Sequence, residues 1–187
     1  MLPLAAAGCA LVGKAVAPDT GLAKQVLEFA ILLEELEHAF YVKALAAPGL
    51  IPRSDRAVFE QISKHEGAHV TFLNTGLTGI GGSPQSAPDF DFTGHGLHPN
   101  VFRNYRSFLS LAQTFEETGV GAYKGQATNL LTSNSLLTAA LRIHSVEARH
   151  AAEIRRLRGE KAWNGAFDEP LTKEAVLGRV HPFLARP

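Results

Sequence analysis

The chain has one cysteine, Cys9, so no internal disulfide can brace it, and cysteine usage leaves the redox compartment open. It lacks an excess of either charge: 18 basic residues balance 18 acidic ones, with no basic run, which argues against nucleic acid as the main partner. No apolar stretch reaches about twenty residues, so no ordinary membrane-spanning helix is written into it. Tyrosine and tryptophan are few, three and one, beside eleven phenylalanines. No strand-like alternation matches the strength of the helical patterns. The 187 residues, 45% hydrophobic and 19% charged, suit one globular domain with a real core.

Residues 1–17, MLPLAAAGCALVGKAVA, are small and apolar with only Lys14 charged, and they resemble the end of an export signal without its basic start. AAGC resembles a bacterial lipobox, with Ala6 where leucine is usual, which makes Cys9 a candidate lipid anchor. The expected division is an apolar N-terminal arm or signal remnant over 1–20 and one domain over 21–187. The expected location is periplasmic or extracellular, with a packed arm on a cytoplasmic protein as the alternative.

Four segments carry helical periodicity. The first runs from about Leu22 to Ala46 and is ended by Pro48-Gly49. The second starts near Ser54, read as its N-cap, and fades at Gly76–Gly82. The third covers about Val101 to Leu131, and Ser133 caps a fourth that ends before Gly159. Residues 78–99 hold turn formers, and 22 residues reach up to about 70 Å extended, enough to run the length of a bundle. The tail, with Pro170, Pro182 and Pro187, reads as a strap. The expected fold is all-α: a four-helix bundle with a long crossover between the second and third helices and a C-terminal strap.

Steps of three and four give the inward seam of each helix. The second seam reads Phe59, Ile62, Glu66, His69, Leu73, and the fourth Ala140, Ile143, Glu147, His150, Ile154. Two Glu-x-x-His pairs thus sit amid apolar stripes, where an unpaired charge is expensive. The first seam carries Glu34, Glu37 and Tyr41; the third carries Glu116, Gly119 and Tyr123. Each places a tyrosine seven residues after a glutamate. Short connections within each helix pair return the carboxylates to one height, so four glutamates and two histidines converge. Such a cluster repels itself unless cations balance it. One glutamate from each of two helices, plus Glu-x-x-His from the other two, is the ferritin-like di-iron or di-manganese arrangement, and carboxylates with imidazoles suit those metals. The expected cofactors are two divalent manganese or iron ions, with Glu34, Glu66, His69, Glu116, Glu147 and His150 as ligands. The repeat makes the two histidines equivalent.

EFAILLEELEHAFY, HEGAHVTFL, FEETGVGAYKG and VEARHAAEIR resemble the desiccation-related ferritin-like family over roughly residues 22–181, and FDEPLTKEAVLGRVHPF resembles its C-terminal strap. The resemblance implies the same six ligands, and export is common among members. More distantly the layout is similar to manganese catalases and rubrerythrins.

Glu37, one turn beyond Glu34 and opposite Gly119, is either a seventh carboxylate at the metals or a buried glutamate that is protonated or arginine-paired. The glycine is read as leaving room for peroxide or dioxygen. Tyr41 and Tyr123 are read as hydrogen-bonding carboxylates across the bundle, and with Glu37 they form the expected catalytic set. Glu35 and His38 lie off the seam, on a solvated or intersubunit face of an expected homo-oligomer. Glu117 points away from the seam or supports a ligand histidine, and His65 and His144 flank the motif. His95 and His98 fall in the loop, and nothing in the pattern draws them to the cluster. The expected function is redox chemistry on hydrogen peroxide or dioxygen in oxidative or desiccation stress. The rival is a non-enzymatic stress or surface protein with a structural metal, and iron storage comes third.

Overall fold

The computed structural model describes residues 20–185. The expectations for residues 1–17, Cys9 included, lie outside them. Helix α1 spans Thr20–Ala46, α2 Arg56–Gly79, α3 Tyr105–Ala127, α4 Asn134–Leu157 and α5 Lys173–Val180, and among the described residues there are no strands. The architecture is an all-α, ferritin-like bundle in which α1 packs chiefly on α2 and α3 on α4.

Helices α1 and α3 are the most enclosed, and in the LEFAILLEELEHAF run of α1 only Glu28 is exposed. It stops where Gly49 takes a left-handed φ of 71°. The α1–α2 hairpin is fastened at that end by the Arg56 guanidinium, which donates to the Leu45 carbonyl at 3.3 Å. At the other end Lys24 Nζ donates to the Gly81 carbonyl at 2.7 Å. The crossover leaves from there and reaches the opposite end, where Phe92 packs against Phe40 at 5.3 Å between centroids. Phe40 also meets Phe102, Phe108 and Phe115, so this aromatic core closes the bundle below the polar cluster.

The starts of α2 and α3 differ in detail from the sequence reading. The N-cap of α2 is Asp55, not Ser54, and no side chain caps it; the Ser54 hydroxyl and the Tyr105 phenol both donate to the Asp55 carboxylate. Helix α3 starts at Tyr105 rather than Val101, because the Asn104 side chain accepts from the Ser107 amide and fixes the cap there. It ends at Ala127, and Thr128–Leu130 tighten into a 3-10 turn. Ser133 is the N-cap of α4 by position, without a side-chain capping bond.

The tail is a strap that carries the short helix α5 and buries Val176, Val180 and Phe183. It lies directly on the α3 backbone: the Leu171 amide donates to the Gly121 carbonyl at 2.9 Å. A Cβ on Gly125 would stand 1.8 Å from the Leu171 carbonyl oxygen, so only glycine admits this approach. A single antiparallel bridge, Phe90 to Leu184, ties the strap to the crossover.

Candidate metal centre

Glu34 and Glu37 from α1, Glu66 and His69 from α2, Glu116 from α3, and Glu147 and His150 from α4 all point into the bundle. Glu34, Glu66, Glu116 and Glu147 are each 0% exposed. Their ligand atoms fall into two sets that could hold a metal ion: Glu34, Glu66, His69 and Glu147, and Glu66, Glu116, Glu147 and His150, with the atoms of each set within 4.8 Å of one another. Glu66 and Glu147 belong to both sets, which places them between the two positions, while Glu34 and Glu116 each serve one.

The donor chemistry fits cations better than it fits hydrogen bonding. His69 Nδ1 lies 3.0 Å from Glu34, 3.2 Å from Glu66 and 3.2 Å from Glu147, yet a single ring N–H cannot serve three carboxylates well. His150 Nδ1 stands 2.9 Å from Glu66 Oε1 without the angles of a hydrogen bond. Glu66 Oε1, Glu116 Oε2 and both Glu147 oxygens are buried without a hydrogen-bond partner. Groups this costly to orphan converge on common points rather than on one another.

The electrostatics say the same. Burial and then the neighbouring carboxylates push Glu147 and Glu37 well above the ordinary carboxylate range. Burial lifts Glu34 to about 7 against the pull of His69. Burial also opposes charge on the imidazoles, but their carboxylate partners win and raise His69 to about 12 and His150 to about 11. Within the protein alone, a proton on each imidazole is the only positive charge the cluster can raise.

The tyrosines bond crosswise between the hairpins. Tyr41 of α1 donates to Glu116 of α3 at 2.5 Å, and Tyr123 of α3 donates to Glu34 of α1 at 2.5 Å. Burial, followed by the adjacent glutamates, raises both phenols well above 10, so they keep their protons and act as donors. Glu37 belongs to neither ligand set; its Oε2 is buried without a partner, and among the described residues no arginine pairs with it. Burial and four surrounding carboxylates favour its protonated form over the arginine-paired alternative. The room beside Gly119 is taken by protein: a Cβ there would lie 3.1 Å from Glu37 Oε1 and 3.2 Å from Glu147 Oε2. That space therefore belongs to the carboxylates rather than to a small ligand.

The flanking residues divide. His65 Nδ1 meets His150 Nε2 at 2.9 Å. Glu117 turns away from the cluster and forms an ion pair with Arg155, whose guanidinium also donates to Asn164 at 2.5 Å. The seam reading gave no sign of Arg155, because its partner is on another helix and no local spacing relates the two. His38 Nδ1 sits 3.2 Å from the Ser63 carbonyl, between α1 and α2, and Glu35 is partly buried near it. His144 Nε2 is buried without a partner. His95 pairs with Asp91, and the His98 ring packs on Phe183, both away from the cluster.

Residues 23–160 match a family model described as a ferritin-like domain. No curated protein matches the sequence.

Proposed function

The chain belongs to the ferritin-like domain family, and on that premise we propose that it is a dimetal carboxylate protein with redox activity on hydrogen peroxide or dioxygen. The observation that carries this reading is the pair of four-ligand sets sharing Glu66 and Glu147. A pair of manganese or iron ions held there would supply two-electron redox chemistry. The chain's own residues would do the rest. Glu34 and Glu116 would be the terminal ligands, each aimed by a tyrosine from the opposite hairpin. Glu37 would keep a proton at its unpartnered carboxyl, one turn from Glu34. The aromatic core around Phe40 would keep water from the site on its lower side.

A second reading has one observation in its favour. The four shared and terminal carboxylates are fully enclosed, which suits metals that brace the bundle of a non-enzymatic stress or surface protein. Iron storage is less well supported, since the fifth helix, Lys173–Val180, has only eight residues. The role in oxidative or desiccation stress rests on the motif resemblance, and export rests on the character of residues 1–17; no helix among the described residues is long and apolar enough to cross a membrane.

Elemental analysis and peroxide consumption, measured on one natively expressed preparation, test the proposal. The expected result is about two manganese or iron atoms per chain, with turnover that follows metal content. Full occupancy with no turnover of peroxide or dioxygen leaves the bracing role. A folded protein that takes up neither metal on reconstitution ends both readings.

A further inference from the structure

The two Glu-x-x-His motifs are alike in sequence, but their histidines have different supports. His150 turns Nδ1 into the cluster and holds Nε2 2.9 Å from His65 Nδ1. The two rings are 14° from coplanar with centroids 5.1 Å apart, so they meet edge to edge across the hydrogen bond rather than face to face. His65 Nε2 in turn lies 2.7 Å from the exposed side-chain amide of Gln61. His69 has no such support: among the described residues no hydrogen bond reaches its Nε2, and Val146, which precedes Glu147 as His65 precedes Glu66, has no polar side-chain atom.

A neutral imidazole carries one ring hydrogen, so the chain of contacts can run in two senses. For His150 Nδ1 to offer a lone pair to a cation, Nε2 must carry the hydrogen and donate it to His65 Nδ1. His65 then carries its hydrogen on Nε2 and donates to the Gln61 carbonyl oxygen, which a half-turn of that exposed amide presents. The opposite sense puts the hydrogen on His150 Nδ1, against Glu66 Oε1. In the first sense His65 holds His150 in the tautomer that binds a cation, and among the described residues nothing comparable holds His69.

We propose that the two metal positions are unequal, and that His65, as a positioning residue, makes the position bounded by Glu66, Glu116, Glu147 and His150 the tighter one. The inference rests on the dimetal reading above. The position bounded by Glu34, Glu66, His69 and Glu147 fills second and empties first.

The test titrates the metal-free, full-length protein with manganese(II) and follows the free ion by its paramagnetic resonance signal. Wild type should bind in two steps at least tenfold apart. His69→Ala should keep the tight step, and His150→Ala should keep only the weak one. His65→Leu should weaken the tight step by about 10–100-fold, the usual effect of losing a ligand's hydrogen-bond support, and leave the weak step alone. His65→Gln, whose side-chain oxygen can accept from His150, should recover part of the loss. His65 is only partly buried, and a melting curve confirms that each variant folds. Two equal wild-type steps, or a His65→Leu change that leaves the tight step intact or weakens both alike, overturns the inference but spares the dimetal reading. No manganese bound at all overturns both.

Discussion

Replacing Tyr41 or Tyr123 by phenylalanine removes one hydroxyl from the cluster and little else. Each ring stays packed, so the loss is the hydrogen bond to Glu116 or to Glu34, both at 2.5 Å in an enclosed setting. A hydrogen bond to a charged group contributes about 1.5–3 kcal/mol, and for a chain of this size each kcal/mol moves the melting temperature by about 2–4 °C. Each variant should therefore melt about 3–12 °C below wild type. The two hydroxyls serve different carboxylates from opposite hairpins, so the double variant should show the sum to within about 0.5 kcal/mol. Calorimetry of the metal-free protein at about pH 8, above the value near 7 that burial gives Glu34, reads this directly. An unchanged or higher melting temperature in either variant refutes the reasoning. It would mean that the carboxyl supplies the shared proton and that the terminal glutamates are neutral acids.

Glu37→Gln should retain the metals, because Glu37 lies outside both ligand sets, and should slow peroxide turnover at least tenfold, a barrier higher by about 1.4 kcal/mol; unchanged turnover per metal would remove Glu37 from the catalytic set. Gly125→Ala should lower the melting temperature by several degrees, since the methyl must displace the Leu171 backbone, whereas Gly76→Ala, with open space around its Cβ, should gain about 1 kcal/mol from helix propensity. Changes of the same sign would contradict the strap's contact with α3. Arg155→Ala should cost about 2 kcal/mol by thermal melt, between the values for exposed and fully buried pairs, because Glu117 is a third exposed. It should also speed proteolysis between residues 159 and 172, where Asn164 loses its partner.

The convergence of Glu34, Glu66, His69, Glu116, Glu147 and His150 was readable from the sequence because seam periodicity is local, and a charged residue in an apolar stripe declares itself within two turns. The crossover was readable from its length alone. What escaped was set by contacts between segments remote in the chain. Ser54 looked like the better cap, but the bond from Tyr105, fifty residues on, engages the Asp55 carboxylate instead. Arg155 is one of several arginines near the end of α4, and only the docking of α3 makes it the partner of Glu117. The motif repeat made His69 and His150 look interchangeable; the residue before each glutamate, His65 or Val146, held the sign that they are not. Spacing also made Gly119 look like room for a ligand, whereas Glu37, on another helix, fills that room.

The crosswise tyrosine bonds bear on the order in which the molecule comes into being. When synthesis has passed Gly79, the first hairpin already carries Glu34, Glu66 and His69, but Tyr123, which orients Glu34, and Glu147, which completes that ligand set, are still to be made. The second hairpin likewise depends on Tyr41 and Glu66 from the first. Neither half can form a finished binding pocket while its sibling is missing. On the proposed dimetal function, metal capture would thereby be deferred until the ribosome has delivered nearly the whole domain, and a truncated chain would hold no complete ligand set.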